Sequence, residues 1–206
     1  MKGISSKNAS IPVAISARHV HLTQAAVEQL FGAGHPLHVH AALRQPGQYS
    51  TEEQLSLVGP GGRIDHVRIV GPARSDNQVE LSRTDELALG IDAPLRISGQ
   101  LANTPGITLV GPAGSLQLDH GVIVASRHIH MAPQDAARFG VRHGQYVSVA
   151  IDNQGRSLVF GDVAVRVAPD FQLELHLDTD EGNAAGLHPG DTGLLLTPTS
   201  HRARLA

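Results

Sequence analysis

The chain contains no cysteine and no tryptophan. Without thiols it can build neither a disulfide nor a thiolate zinc site, and it has no Cys nucleophile. Aromatic residues make up only 3%, so the core must come from Val, Leu, Ile and Ala. Together with 22 Gly and 12 Pro, this favours short strands with frequent tight reversals. No segment carries a basic run and the formal net charge is −3, which argues against a surface that tracks nucleic-acid phosphates. An apolar stretch of membrane-spanning length is also missing, and Met1–Ser10 lacks the apolar centre of a signal peptide. The expectation is a cytoplasmic protein with neither nucleic acid nor membrane as partner. At 206 residues, 41% of them hydrophobic, the chain can form one large domain or two small ones, each with a core.

What the chain does have is histidine, 13 in all, and their placement matters more than their number. Ser16-Ala17-Arg18-His19-Val20-His21-Leu22 aligns with Ala125-Ser126-Arg127-His128-Ile129-His130-Met131, roughly half a chain further on. Each copy follows an apolar strand-like run (Ile11–Ile15, Val122–Ala125). Each also precedes a short helix, Gln24–Leu30 behind an N-cap at Thr23 and Pro133–Phe139 with Pro in its first turn.

A second repeat matches Phe139-Gly140-Val141 with Ala185-Gly186-Leu187 and, more weakly, Leu89-Gly90-Ile91. It reads as a helix stopped by a left-handed glycine. A third pairs Leu57-Val58-Gly59-Pro60 with Leu109-Val110-Gly111-Pro112 as hairpin tips. Strands are expected at Leu55–Val58, Arg63–Val70, Val79–Ser82, Ile107–Val110, Leu116–Leu118, Val147–Ile151, Ser157–Val167, Leu173–Leu177 and Gly193–Thr197. The fold class is therefore mainly β: two small β-barrels with short capping helices, related by internal duplication. The tail His201–Ala206 is expected to fray.

In a strand, residues i and i+2 share a face. His19 with His21, and His128 with His130, can each offer two imidazoles to one ion, with Val20 and Ile129 facing the core and the histidines a shared cleft. Imidazole suits Zn, Cu, Fe or Ni. A single His-x-His is weak evidence, because most such pairs merely face solvent; the duplication turns the argument toward metal. His38-Val39-His40 has no preceding Arg and no counterpart, and reads as a surface strand pair, with a metal role the lesser alternative. His176 alternates with Leu175 and Leu177, as either a ligand or a satisfied half-buried histidine. The acidic residues after it suit the first turn of a helix. Glu80, between Val79 and Leu81, is the best candidate carboxylate, with an exposed strand Glu as its plain alternative. Arg74, in a turn opened by Gly71-Pro72, is either a phosphate fork or a surface arginine.

The two Arg-His-x-His copies, Gln45-Pro46-Gly47-Gln48, Glu52-Glu53 and Gly71-Pro72-Ala73-Arg74 resemble the PduL-type phosphate propanoyltransferases, the zinc phosphotransacylases of bacterial microcompartments. So do Glu80-Leu81-Ser82-Arg83-Thr84-Asp85, Gly90-Ile91, Thr104-Pro105-Gly106-Ile107-Thr108-Leu109 and His176-Leu177-Asp178-Thr179-Asp180-Glu181. The resemblance runs from about Pro12 to Leu187. It implies two β-barrels, one formed by 7–17 and 126–198 and the other by 18–125, with 199–206 as a tail. It also implies about two zinc ions per chain, one held by His19, His21 and Glu80 and the other by His128, His130 and His176. Arg74 then binds phosphate as the catalytic arginine, and Ser16, Arg68 and Asn183 contact coenzyme A.

The implied partners are an acyl-CoA and inorganic phosphate. Ala41 stands near a position where relatives carry a basic residue, so one coenzyme contact is missing. Relatives in microcompartments begin with an amphipathic helix, which the polar Met1–Ser10 does not match, leaving encapsulation open. A homodimer is the base-rate expectation. The rival readings are another metal-dependent hydrolase or a cupin-like enzyme, and a non-catalytic metal-binding component of a microcompartment. Neither HExxH nor a cupin-type Glu after the His pair is present, and a non-catalytic role leaves Arg74 without a task.

Overall fold

The computed structural model describes residues 10–153 and 155–196. The tail His201–Ala206 and residues 1–9 lie outside them. In chain order the elements are β1 (Ser10–Ser16), β2 (His19–His21), α1 (Gln24–Phe31), β3 (Val39–Ala42), β4 (Tyr49–Val58), β5 (Arg63–Gly71), β6 (Gln78–Leu81), α2 (Arg83–Leu89) and β7 (Leu95–Arg96). They continue with β8 (Ile107–Val110), β9 (Ser115–Leu118), β10 (Val122–Ala125), β11 (His128–Met131), α3 (Pro133–Phe139), β12 (Tyr146–Ile151), β13 (Leu158–Val167), β14 (Glu174–Asp178), α4 (Thr179–Ala185) and β15 (Thr192–Leu196). The protein is mainly β, as its composition implies. No helix among the described residues is long and apolar enough to cross a membrane.

The chain divides into two compact units. Unit 1 takes the described parts of Met1–Ile15 and Glu181–Ala206 together with Arg127–Leu177; unit 2 takes Ser16–Ser126 and Asp178–Asp180. In unit 1 the strands close into a six-stranded barrel in the order β1-β14-β11-β13-β12-β15. Its core is aliphatic, with Ile11, Ile129, Val149, Val163 and Leu175 fully buried. Unit 2 is a curled sheet of nine strands, β7-β10-β6-β2-β5-β4-β8-β9, with β3 paired on β4. It covers a core that includes Val20, Leu57, Ile69, Val79 and Leu109. Among the described residues the second barrel thus remains open: β7 and β9 end the sheet without meeting.

The helices and turns follow local chemistry. Thr23 accepts from the Ala26 amide at 3.1 Å and caps α1, while Ser82 and Asp85 form a reciprocal capping box on α2. Gly90, Gly140 and Gly186 all adopt the left-handed conformation, φ 67°, 67° and 59°, which a side chain would strain. Both Gly-Pro hairpin tips form as the repeat suggests, with Gly59 N donating to Gly62 O and Gly111 N to Gly114 O, each at 2.9 Å. Each tip also caps a helix: Gly61 N donates to Leu89 O at the end of α2, and Ala113 N to Leu30 O near the end of α1. A Cβ on Gly59 or Gly111 would come within 2.4 Å of those carbonyl oxygens, so the close approach requires glycine.

Two expectations shift. β4 begins at Tyr49, well before Leu55, because Tyr49, Ser50 and Thr51 pair with β3. His38 and His40 are not one strand pair: β3 starts at Val39, and the His38 ring turns to Glu53, 2.7 Å away, while His40 is exposed on the strand.

Candidate metal centres

Each His-x-His segment is a short strand held between two others, and the two frames match. β2 runs antiparallel to β6 and parallel to β5; β11 runs antiparallel to β14 and parallel to β13. The middle residues Val20 and Ile129 are fully buried, which turns the flanking histidines to the opposite face. In the antiparallel registers His19 stands opposite Glu80, and His128 opposite His176. The third member of each group therefore occupies the same position in each copy.

In unit 2, His19, His21 and Glu80 converge. His19 Nδ1 lies 2.9 Å from Ala17 O, and His21 Nδ1 3.0 Å from Val70 O. A carbonyl has no proton to give, so the hydrogen-bond network assigns the hydrogen of each ring to Nδ1. In the neutral rings both Nε2 atoms are then bare. They face each other at 3.2 Å, with Glu80 oxygens 3.7 and 3.6 Å away. Bare lone pairs at that separation repel, and a cation among them turns the repulsion into ligation. The carbonyls that fix the tautomers are the supporting contacts such a centre requires.

Burial pushes the His21 pKa down to about 4, and charge at His19 and Arg74 adds to this against the pull of Glu80. Burial opposes ionisation of Glu80, yet once the rings take up a second proton, on Nε2, the charge of His19 and the hydrogen bond and charge of His21 hold its carboxyl well below the usual range. Gln78 donates to Glu80 and to Ser98 Oγ, orienting the carboxylate.

In unit 1, His128, His130 and His176 converge. The His128 and His176 rings stack with centroids 4.9 Å apart, and His130 Nδ1 stands 3.2 Å from His176 Nε2. Glu174 Oε2 lies 3.2 Å from the same His176 nitrogen. Three imidazoles with a carboxylate alongside form a donor set suited to a borderline transition ion.

The arginine of each motif has a task that the sequence reading missed. Arg18 Nε pairs with Asp85 at 2.8 Å, and Arg127 Nε with Glu181 at 2.8 Å. Asp85 lies five positions after Glu80, and Glu181 five positions after His176. Each arginine thus ties its His-x-His strand to the helix that follows the strand of the third group member. The equal spacing was legible in the sequence; what was missing was a reason to look for it. In unit 2, Asp180 adds a second acid at α2 by accepting from Thr84 N at 2.8 Å, and that bond helps hold its pKa below the ordinary value against desolvation.

Arg74 lies half-buried between β5 and β6, its amide donating to Leu22 O at 2.8 Å, close enough to His21 to act on its charge. Arg68 on β5 is the register neighbour of His19 and donates to Thr51 O at 2.8 Å. Ser16 is half-buried at the end of β1, and Asn183 is exposed on α4 in unit 1. Ala41 is exposed on β3.

Comparison with known proteins settles the family. The family model for phosphate propanoyltransferase matches residues 12–188. The chain belongs to the phosphate propanoyltransferase family. It is 56% identical over 176 residues to the phosphate propanoyltransferase of Salmonella typhimurium, covering 85% of this chain and 83% of that protein. It is 50% identical over 185 residues to that of Thermotoga maritima, covering 90% and 88%, and 52% identical to that of Citrobacter rodentium over 189 residues, covering 91% and 90%. The PduL-type resemblance read from the motifs is thereby established, and with it the class: this phosphate propanoyltransferase family member is an acyltransferase.

Proposed function

We propose that the protein interconverts a short-chain acyl-CoA, propanoyl-CoA or acetyl-CoA, and phosphate with an acyl phosphate and coenzyme A, with zinc and without an acyl-enzyme. The observation that carries this reading is the convergence of His19, His21 and Glu80, with bare Nε2 atoms, beside an arginine that acts electrostatically on His21.

The reaction balances as acyl–S–CoA + HPO₄²⁻ ⇌ acyl–OPO₃²⁻ + CoA–SH. A phosphate oxygen forms the new C–O bond, the C–S bond breaks, and the phosphate proton leaves with the thiol. Arg74 holds and neutralises the phosphate, so its contribution is orientation and charge. His19, His21 and Glu80 hold one zinc ion, and His128, His130 and His176 the other. When bound, zinc supplies Lewis acidity toward the thioester carbonyl or the departing thiolate. Ser16, Arg68 and Asn183 contact coenzyme A, and Ala41 leaves out one basic contact. No thiol nucleophile is required, in keeping with a chain that has no cysteine. A cytoplasmic location and a homodimer complete the proposal; the family's link to microcompartments and propanediol degradation leaves encapsulation of this chain open, since the polar Met1–Ser10 does not match a targeting helix.

The test is phosphate-dependent thiol release from acetyl-CoA and propanoyl-CoA, run beside elemental analysis of the same preparation. Thiol release that needs both phosphate and the bound metal supports the reading. Metal-bearing protein that releases thiol without phosphate would point to a hydrolase, and metal-bearing protein inert with both acyl-CoAs refutes the acyl transfer.

A further inference from the structure

A third group of ligand-type side chains lies apart from those assigned above: His35, His38 and Glu53, all in unit 2. His35 and His38 come from the segment between α1 and β3, and Glu53 from β4. His35 Nε2 stands 3.0 Å, and His38 Nδ1 2.7 Å, from the same oxygen, Glu53 Oε1. The group is held ready by its surroundings. Glu53 is buried, and the His38 amide donates to its two oxygens at 3.2 and 3.1 Å. The His38 carbonyl accepts from Glu52 N at 2.9 Å, extending the β3–β4 pairing. The His35 ring stacks on Phe31, the last residue of α1, at 5.4 Å.

We propose that His35, His38 and Glu53 form a third divalent-cation site, of the two-imidazole, one-carboxylate type, which takes up a borderline transition ion such as Zn²⁺ from solution. Two imidazoles among three donors select such an ion over Ca²⁺ or Mg²⁺, which favour all-oxygen sets. Both rings donate to Glu53 when no metal is bound. Ligation requires only that each neutral ring carry its hydrogen on the other nitrogen. That change is mild, because His38 is 54% and His35 28% exposed at the side chain. The same exposure leaves the ion's remaining positions to water and makes it exchange more readily than an ion at the buried His21–Glu80 group. A bound ion would pin the segment before β3 to β4, at two residues from Thr51, whose carbonyl accepts from Arg68.

The test is titration of the metal-free full chain with Zn²⁺ alone, counting equivalents in the wild type, H35Q/H38Q, E53Q, H40Q and H19Q/H21Q, with metal-free melting curves as the folding control. H35Q/H38Q and E53Q should each bind one equivalent fewer than the wild type, that equivalent being the weaker and more rapidly exchanging one. H40Q should retain it, since His40 is not a member of the group. E53Q is the sharper probe because it removes the carboxylate while leaving every histidine in place. If folded E53Q and H35Q/H38Q take up as many equivalents as the wild type with unchanged affinity, the site does not exist. H19Q/H21Q keeps the two failures apart: no loss of zinc there refutes the zinc reading of the proposed function, whatever E53Q shows.

Discussion

The repeated arginine–acid pair invites a thermodynamic cycle, most directly on Arg18 and Asp85. Arg18→Ala removes a 2.8 Å charge-assisted bond from a carboxylate that is itself buried. Such a bond contributes about 1.5–3 kcal/mol; with the arginine side chain 41% exposed, water can replace part of it, which brings the expected cost to about 1–2 kcal/mol. Asp85→Ala loses the same bond and also the capping box, since Asp85 Oδ2 accepts from Ser82 N at 3.2 Å. A cap adds about 1 kcal/mol, for a total of roughly 2–3 kcal/mol. The double variant should be no less stable than Asp85→Ala to within about 0.5 kcal/mol, which puts the coupling energy at about 1–2 kcal/mol. Urea unfolding of the metal-free protein measures all three. A coupling energy indistinguishable from zero would refute the argument, and the matching spacing of Arg18–Asp85 and Arg127–Glu181 would then carry no energetic meaning. Arg18→Lys should recover only part, because a point charge does not reproduce the Nε geometry.

Elemental analysis after gel filtration should find about two tightly held zinc ions per chain, and chelation should abolish phosphate-dependent thiol release; full activity in metal-free protein is the contrary outcome. Arg74→Ala should keep its zinc while raising the phosphate KM, lowering kcat, or both, by about 30- to 1000-fold, the equivalent of roughly 2–4 kcal/mol, and Arg74→Lys should recover little. His128→Ala should instead lose metal, with no rescue by added phosphate; if Arg74→Ala lowers only the melting temperature while phosphate kinetics stay normal, Arg74 merely braces its turn. In the metal-free protein, the folded pKa of His21, about 4, lies below the unfolded value of about 6.5. The unfolded state therefore binds more protons between those values, and stability falls as pH falls through that window. From pH 7 to 5 the His21 share of the loss is about 2 kcal/mol, and it should vanish in His21→Asn when unfolding is followed at both pH values.

Features governed by short-range rules were legible in the sequence. The i, i+2 rule put His19 with His21 and His128 with His130 on one face, and buried Val20 and Ile129 confirm that face. Left-handed glycines and Gly-Pro tips could be read because backbone conformation restricts which residues are tolerated there. Bringing Glu80 to His19 and His176 to His128 took the family resemblance, because cross-strand register is set by tertiary pairing and not by spacing. The His35–His38–Glu53 group escaped for the same reason: its histidines are three apart, off any strand, and only the β3–β4 pairing brings Glu53 to them. Closure of one sheet and not the other depends on which strands become edges, and no local pattern records that.

The barrel of unit 1 is closed by β1 against β15, with Ser10 opposite Leu194. This has a consequence for the order of assembly during synthesis. Residues 16–126, the bulk of unit 2, form an uninterrupted stretch and can fold as soon as they have emerged. β1 is made before them but must wait, without either of its barrel neighbours, until β14 and then β15 have been translated, about 160 to 180 residues later. Closing a loop of that length costs only slightly more entropy than closing a short one, so the delay weighs on rate and not on final stability. During the wait β1 presents an unpaired edge, the kind of surface that recruits neighbouring chains. A ribosome-bound chain stalled before β15 should therefore protect unit 2 from proteolysis while leaving the barrel strands open to it.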